Sequence, residues 1–187
     1  MNCTIKSLLI PGLILFAACG GNSTDSGATD SSTTAKTDTT SKMVQNNSVG
    51  EQDFVNYAVP GNTKEIIWLE AGIHKSHDKE LKQQASMMLT DHKKLDAEVK
   101  HYLDNHKDLN VPTVDTANVV DINDKKGADW DKAWANKMVE DHSDLLSKLQ
   151  NSQRDVKDTA LLSLINSTVP VVESHLAMAK TLKAKIK

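Results

Sequence analysis

Histidine is scarce in this chain, seven in 187 residues, and three of the seven occupy related places. His92 follows Met88 by four and precedes Leu95 by three; His142 follows Met138 by four and precedes Leu145 by three. His175 follows Val172 by three and precedes Ala179 by four. Each histidine thus fills a position in a 3-4 spaced apolar stripe, within about 30° of its centre at 100° per residue. Met-x-x-Asp-His is written twice, as MLTDH at 88–92 and MVEDH at 138–142, which sets Asp91 and Asp141 beside the stripe. Imidazoles that converge on one core suit zinc, copper or iron, and a carboxylate from Glu65 would complete a mixed site. Met88, Met138 and Met178 lie three or four residues from these histidines, and thioethers favour Cu(I). His74, His77, His101 and His106 fall off the stripes and are expected at the surface.

The same residues also support a purely structural reading. Asn62-Thr63-Lys64-Glu65 spells a capping box, in which Glu65 would cap the start of its own helix. Methionines fill irregular gaps in cores. A buried neutral histidine is ordinarily satisfied by donating to a carboxylate or a carbonyl, and Asp91 and Asp141 are the carboxylates at hand.

Several other chemistries have no residues to carry them. A di-iron oxidase needs Glu-x-x-His on each of two helices plus two further inward glutamates. Here Glu98-Val99-Lys100-His101 is the only such spacing, and His101 points away from the stripe. There is no glycine-rich phosphate loop, nucleophile elbow or zinc-protease motif. A net charge of −3 and an aromatic content of 4% argue against a nucleic-acid partner. Cys3 and Cys19 are the only cysteines, so the remainder of the chain has neither a disulfide nor a thiolate ligand.

The elements that must position the histidines are helical, and no strand period competes from Glu51 onward. The spacing predicts a first helix over 52–75, broken or kinked at Pro60-Gly61. A second covers 78–106 with Leu81, Ala85, Met88, Leu95, Val99 and Tyr102 on one face. A third covers 129–150 and a fourth 156–186, the last kinked at Pro170. Short links make each consecutive pair an antiparallel hairpin, and the long link over 107–127 can cross the bundle. The expected fold is therefore all-α, a ferritin-like four-helix bundle of two antiparallel hairpins joined by a long crossover. Counted at 1.5 Å per residue, Glu65, His92 and His142 lie roughly 18, 21 and 20 Å from the same end of the bundle. His175 counts to about 10 Å away from that level.

Ahead of the bundle the chain reads MNCTIKSLLIPGLILFAACGGN. One cation, Lys6, precedes an apolar run from Leu8 to Ala18, the length of a secretory core and short for a membrane span. Leu15-Phe16-Ala17-Ala18-Cys19 resembles a bacterial lipobox. The resemblance implies a lipoprotein signal peptide over 1–18 and acylation of Cys19. It also implies retention at the outer membrane of a bacterial envelope, since no Asp follows the cysteine. Buried acyl chains anchor at about 0.8 kcal/mol per methylene. Residues 19–50 are Ser, Thr, Asp, Gly and Asn for the most part, and are expected to be a disordered linker reaching on the order of 30 Å.

Four stretches resemble a known family: DFVNYAVPGNTKEIIWLEAGIHKS, ASMMLTDHKKL, DWDKAWANKMVEDHSDLL and VPVVESHLAMAKTL. In this order they are similar to the domain of unknown function 4142 family, exported bacterial proteins with a ferritin-like bundle, over almost all of residues 51–187. The resemblance implies roles in the family pattern for Gly61, Asn62 and Glu65, for Met88, Asp91 and His92, for His142, and for Pro170 and His175. It implies no activity. Two functions are therefore expected in turn: a non-enzymatic envelope lipoprotein whose histidines are structural, in a binding or stress-related role; or a bundle that holds copper, zinc or iron through His92, His142, His175 and Glu65, with Asp91 and Asp141 supporting the ligands.

Overall fold

The structure, a computed structural model, describes residues 39–186. The segment read as a signal peptide, Cys19 and the linker as far as residue 38 lie outside the described residues. Four helices make up the fold: α1 (Thr39–Lys75), α2 (Lys79–Asp104), α3 (Gly127–Asp155) and α4 (Thr159–Lys185). Among the described residues there is no strand, and no helix is long and apolar enough to cross a membrane.

The two short turns are built alike. Asp78 and Asp158 are N-cap residues whose Oδ1 atoms accept from Leu81 N at 2.8 Å and Leu161 N at 2.7 Å. Each satisfies one of the donors that a helix start leaves open. The second turn has further support from α1, where Glu51 Oε1 accepts from the backbone N–H groups of Lys157 and Asp158, both at 2.8 Å.

Each helix packs on two neighbours, so the four stand in a square with α2 and α3 on one diagonal. Neighbours are antiparallel. Gly50, near the start of the packed part of α1, meets Asp155 at the end of α3; Glu80 at the start of α2 binds Lys185 at the end of α4, at 2.6 Å. The crossover over 105–126 runs along α1 from Gln52 to Lys75. Gln52 holds it at one end through paired bonds to Asn110 N and O, each 2.8 Å, and Lys75 holds it at the other through Asn123. This is the two-hairpin, long-crossover bundle that the helical period and link lengths predict.

The core is divided along the bundle axis. One apolar cluster holds Phe54, Tyr102, Leu149, Leu161 and Ile165. The other holds Trp68, Leu81, Met88, Trp134, Met138 and Leu182. Between them lies a polar layer of Asn62, Glu65, His92, His142 and His175, every one of them buried. Gly72 allows the closest approach in the second cluster: a Cβ there would stand 2.9 Å from the Trp134 ring, which is itself wholly buried. Gly72→Ala should therefore destabilise the domain by about 1–3 kcal/mol, the usual cost of overpacking, even though alanine favours the helix. Urea denaturation measures it.

Four expectations need correction. First, α1 is continuous through Pro60-Gly61, and α4 through Pro170. Each proline frees one carbonyl, four residues earlier, at Asn56 or Asn166; both residues are exposed, and water can take the bond. Packing of Val55, Ala58, Leu69 and their counterparts on α4 supplies the rest. Second, α1 begins at Thr39, well inside the segment expected to be disordered, because extending an existing helix needs no new nucleus. Third, the helix ends differ from the predicted ones: α3 extends to Asp155, and α4 starts at Thr159. His142 then lies 13 residues (155 − 142) before the end of α3 and His175 16 residues (175 − 159) after the start of α4. That brings them to within roughly 5 Å of one level at 1.5 Å per residue. Fourth, His106 is half-buried rather than a surface residue; its ring stacks on Tyr102 and its Nδ1 lies 2.8 Å from Tyr102 O.

Candidate metal centre

The three stripe histidines meet. Their ring centroids form a nearly equilateral triangle, with sides of 5.6 Å (His92–His142), 5.5 Å (His92–His175) and 5.4 Å (His142–His175). Exposures are 3%, 1% and 2% respectively. One ring nitrogen from each lies within 4.8 Å of those of the other two.

The hydrogen bonds settle which nitrogens are free. Nδ1 of His92 is 2.8 Å from Oδ1 of Asn62, whose Nδ2 in turn donates to His92 O at 3.1 Å. Nδ1 of His142 is 2.9 Å from Met138 O. Nε2 of His175 is 3.0 Å from Oδ2 of Asp91. A carbonyl, or an ionised carboxylate, can only accept, so each of these ring nitrogens carries the proton. The remaining nitrogens, Nε2 of His92, Nε2 of His142 and Nδ1 of His175, carry lone pairs. All three are buried and without a partner. Each ring is held in one tautomer and orientation by a group behind it, as metal-ligating histidines are.

Burial also keeps the imidazoles neutral. Desolvation first, then the neighbouring rings His142 and His175, holds His92 well below the usual histidine range. Desolvation and the His175 ring bring His142 down to about 4, against the opposing bond to Met138 O. Desolvation lowers His175 as well, opposed by Asp91. A neutral imidazole is the form that binds a metal.

Glu65 stands apart from the three converging nitrogens. Its Oε1 lies 3.7 Å from Nδ1 of His142, the nitrogen already engaged by Met138 O, and that separation is too long for a hydrogen bond. Burial, and then the charge of Asp141, push its carboxyl up to about 8, with Lys137 opposing. At neutral pH the contact is therefore not an ion pair, since Glu65 keeps its proton and His142 has none to spare. The structure thus groups three histidines without the fourth, carboxylate ligand that the sequence suggested. It also shows no helix start at Asn62, so the expected capping box does not form. Asn62 instead clamps His92 across the α1–α2 interface. Its signature was a polar residue in the buried series Val55, Ala58, Asn62, Glu65, Leu69.

The two aspartates of the repeated motif behave differently. Asp91 reaches across to His175 on α4. Asp141 does not reach a histidine; it pairs with Lys137 one turn back on α3, at 2.7 Å. Met88 and Met138 are fully buried in the second apolar cluster, and Met178 is partly buried against it.

The family described as "Domain of unknown function (DUF4142)" matches residues 33–182. The chain belongs to the DUF4142 family. The match takes in all four helices except the last turn of α4 and starts six residues before α1. No curated protein and no solved structure matches the chain. The shared family carries no activity with it, and the chemistry of this DUF4142 domain lies in its polar layer.

That layer has a pH signature in the metal-free domain. The histidines bind protons in the unfolded chain near 6.5 but in the folded domain only at lower pH, about 4 for His142. Their contribution to stability is present above pH 6.5 and is lost as the pH falls toward 4. Glu65 acts in the opposite direction. Its folded value of about 8 lies above the unfolded 4.5, so its contribution is present below 4.5 and lost as the pH rises through 8. The urea midpoint should therefore peak at about pH 6.5. Glu65→Gln should remove the decline on the alkaline side and leave the acid limb in place.

Proposed function

We propose that this DUF4142 domain binds one first-row transition-metal ion through His92 Nε2, His142 Nε2 and His175 Nδ1. The observation that carries the reading is the set of three buried lone-pair nitrogens that face one another without partners. Were the cluster only structural, each orphaned nitrogen would cost about 1–3 kcal/mol, some 3–9 kcal/mol together. A domain's whole stability is about 5–15 kcal/mol, so an uncompensated cluster of that size needs a reason. An ion gives one.

Three nitrogens on a tetrahedral ion at about 2.0–2.1 Å stand about 3.4 Å apart. The observed limit of 4.8 Å means that binding draws each pair of nitrogens together by at most about 1.4 Å (4.8 − 3.4), within reach of small side-chain rotations. Three neutral imidazoles with no thiolate and no carboxylate favour zinc or copper over iron, whose non-haem sites recruit a carboxylate. A fourth position would remain for water or an exogenous ligand. Asn62, Met138 O and Asp91 would hold the ligands in place.

The test is metal content. The full-length protein, purified in detergent, stripped and reloaded with Zn(II) or Cu(I), should hold one ion per chain by mass spectrometry. Content that stays well below one after loading would refute the proposal.

We further propose that the domain works in a bacterial envelope, tethered to the outer membrane by acyl chains on Cys19. Support comes from Leu15-Phe16-Ala17-Ala18-Cys19 at the end of the apolar run. Cys19→Ser should move the protein from the membrane fraction to the soluble periplasmic fraction, and continued sedimentation with membranes would count against the anchor.

A further inference from the structure

The imidazole layer is reached from two opposite sides of the bundle. A cleft of about 430 Å³ opens between α1 and α3 beneath the crossover, with Glu65, His92 and His142 among its walls. A smaller one of about 80 Å³ opens between α2 and α4, with His92 and His175 among its walls. We infer that a metal cation enters and leaves through the α1–α3 cleft, guided by its acidic wall, with the Glu65 carboxyl group as the last oxygen it meets before the imidazoles. This rests on the metal-binding reading above and adds the direction and the means of access.

Size and the number of carboxyl groups without a cation distinguish the two openings. The large cleft is lined by five carboxyl residues, Glu65, Asp115, Asp121, Asp141 and Asp144, against Lys64, Lys137 and Lys148. Of these, Asp141 is engaged by Lys137, whereas among the described residues Asp121 and Asp144 pair with no cation. In the small cleft Glu98 pairs with Lys94 at 3.8 Å, and Asp91, which accepts from the neutral His175 at 3.0 Å, is the one carboxylate there without a cation among the described residues. A cleft lined by free carboxylates over a low-dielectric floor concentrates cations and speeds their arrival.

Glu65 is the second, independent sign of a ligand path. It is 7% exposed, its Oε1 has no hydrogen-bond partner, and it lines the large cleft beside His142. The carbonyl oxygen of this neutral carboxyl group can meet a partly dehydrated ion from the acidic mouth and pass it on to the nitrogens. The crossover contributes to the same wall through Asp115 and Asp121, which gives the long connection a use beyond joining the two hairpins.

Gly61 makes the route testable. It lines the large cleft, and a Cβ built on it would meet nothing within 4 Å, so a large side chain can block the opening without disturbing the core. Val171 offers the matching position on the small cleft, at 37% exposure. The experiment is stopped-flow uptake of Zn(II) by the full-length protein in detergent, followed by release to a chelator. Gly61→Phe should slow uptake and release together by tenfold or more and leave the equilibrium affinity unchanged. Val171→Phe should change neither rate. Asp121→Asn with Asp144→Asn should slow uptake severalfold and flatten its dependence on ionic strength. Slowing by Val171→Phe instead, or unchanged rates in both Gly61→Phe and the aspartate double variant, would overturn the route while metal binding stood. A wild-type protein that takes up no zinc or copper would overturn both.

Discussion

His142→Ala is expected to lower the affinity for zinc by well over a hundredfold, measured by competition against a chromophoric chelator. Of the three rings, His142 is the most deeply buried and is oriented by its own helix through Met138 O. A useful comparison is Asn62→Leu, which leaves three imidazoles but removes the clamp on His92. Loss of such a supporting partner typically costs 10–100-fold in metal affinity, so the asparagine variant should fall between wild type and His142→Ala. Stability of the metal-free protein should change far less. Losing the ring leaves a void but also removes one orphaned nitrogen, and these effects oppose each other to within about 2 kcal/mol. If His142→Ala lowered the melting temperature sharply and left metal content at one per chain, the ring would be structural and the proposed site wrong.

Trp134→Ala should have the largest effect on folding, about 3–5 kcal/mol, and should leave the domain close to unfolded at 37 °C. The indole is 0% exposed and packs against Gly72 on α1. Its Nε1 donates to Trp68 O at 2.9 Å, inside α1, so truncation also leaves that carbonyl with less to accept from. Trp134→Phe should retain most of the packing and isolate the hydrogen bond. Denaturation followed by far-UV circular dichroism distinguishes the two contributions. A loss under 1 kcal/mol for the alanine variant would mean that the second apolar cluster is far looser than its burial implies.

Much of the fold and of the site is legible in the sequence. Helical period alone puts His92, His142 and His175 on buried faces, and link lengths make α2 and α3 parallel; that they form a diagonal comes from the packing. What escaped was whatever depended on helix ends and on tertiary partners. His175 counts to a different level from sequence alone because the turn at 156–158 is shorter, and α3 longer, than local composition suggests. Asn62 to Glu65 reads as a capping box whether or not a helix starts there, and only packing on both sides of Pro60 decides that it does not. Asp141 was readable in hindsight: Lys137 stands four residues before it, the spacing of a helical ion pair, whereas Asp91 has no lysine at that distance upstream.

The division of labour among the helices has a mechanical consequence. α1 packs chiefly on α2 and α3 chiefly on α4, so the protein is two closely joined hairpins that touch each other less. His92 belongs to the first hairpin, and His142 and His175 belong to the second. An ion held by all three is thus a staple across the weaker seam, and it can hold only when both halves are docked. By mass action it would add about 2.7 kcal/mol at a free concentration one hundred times its dissociation constant. Stripping the ion would loosen the join between the halves before it melted either one.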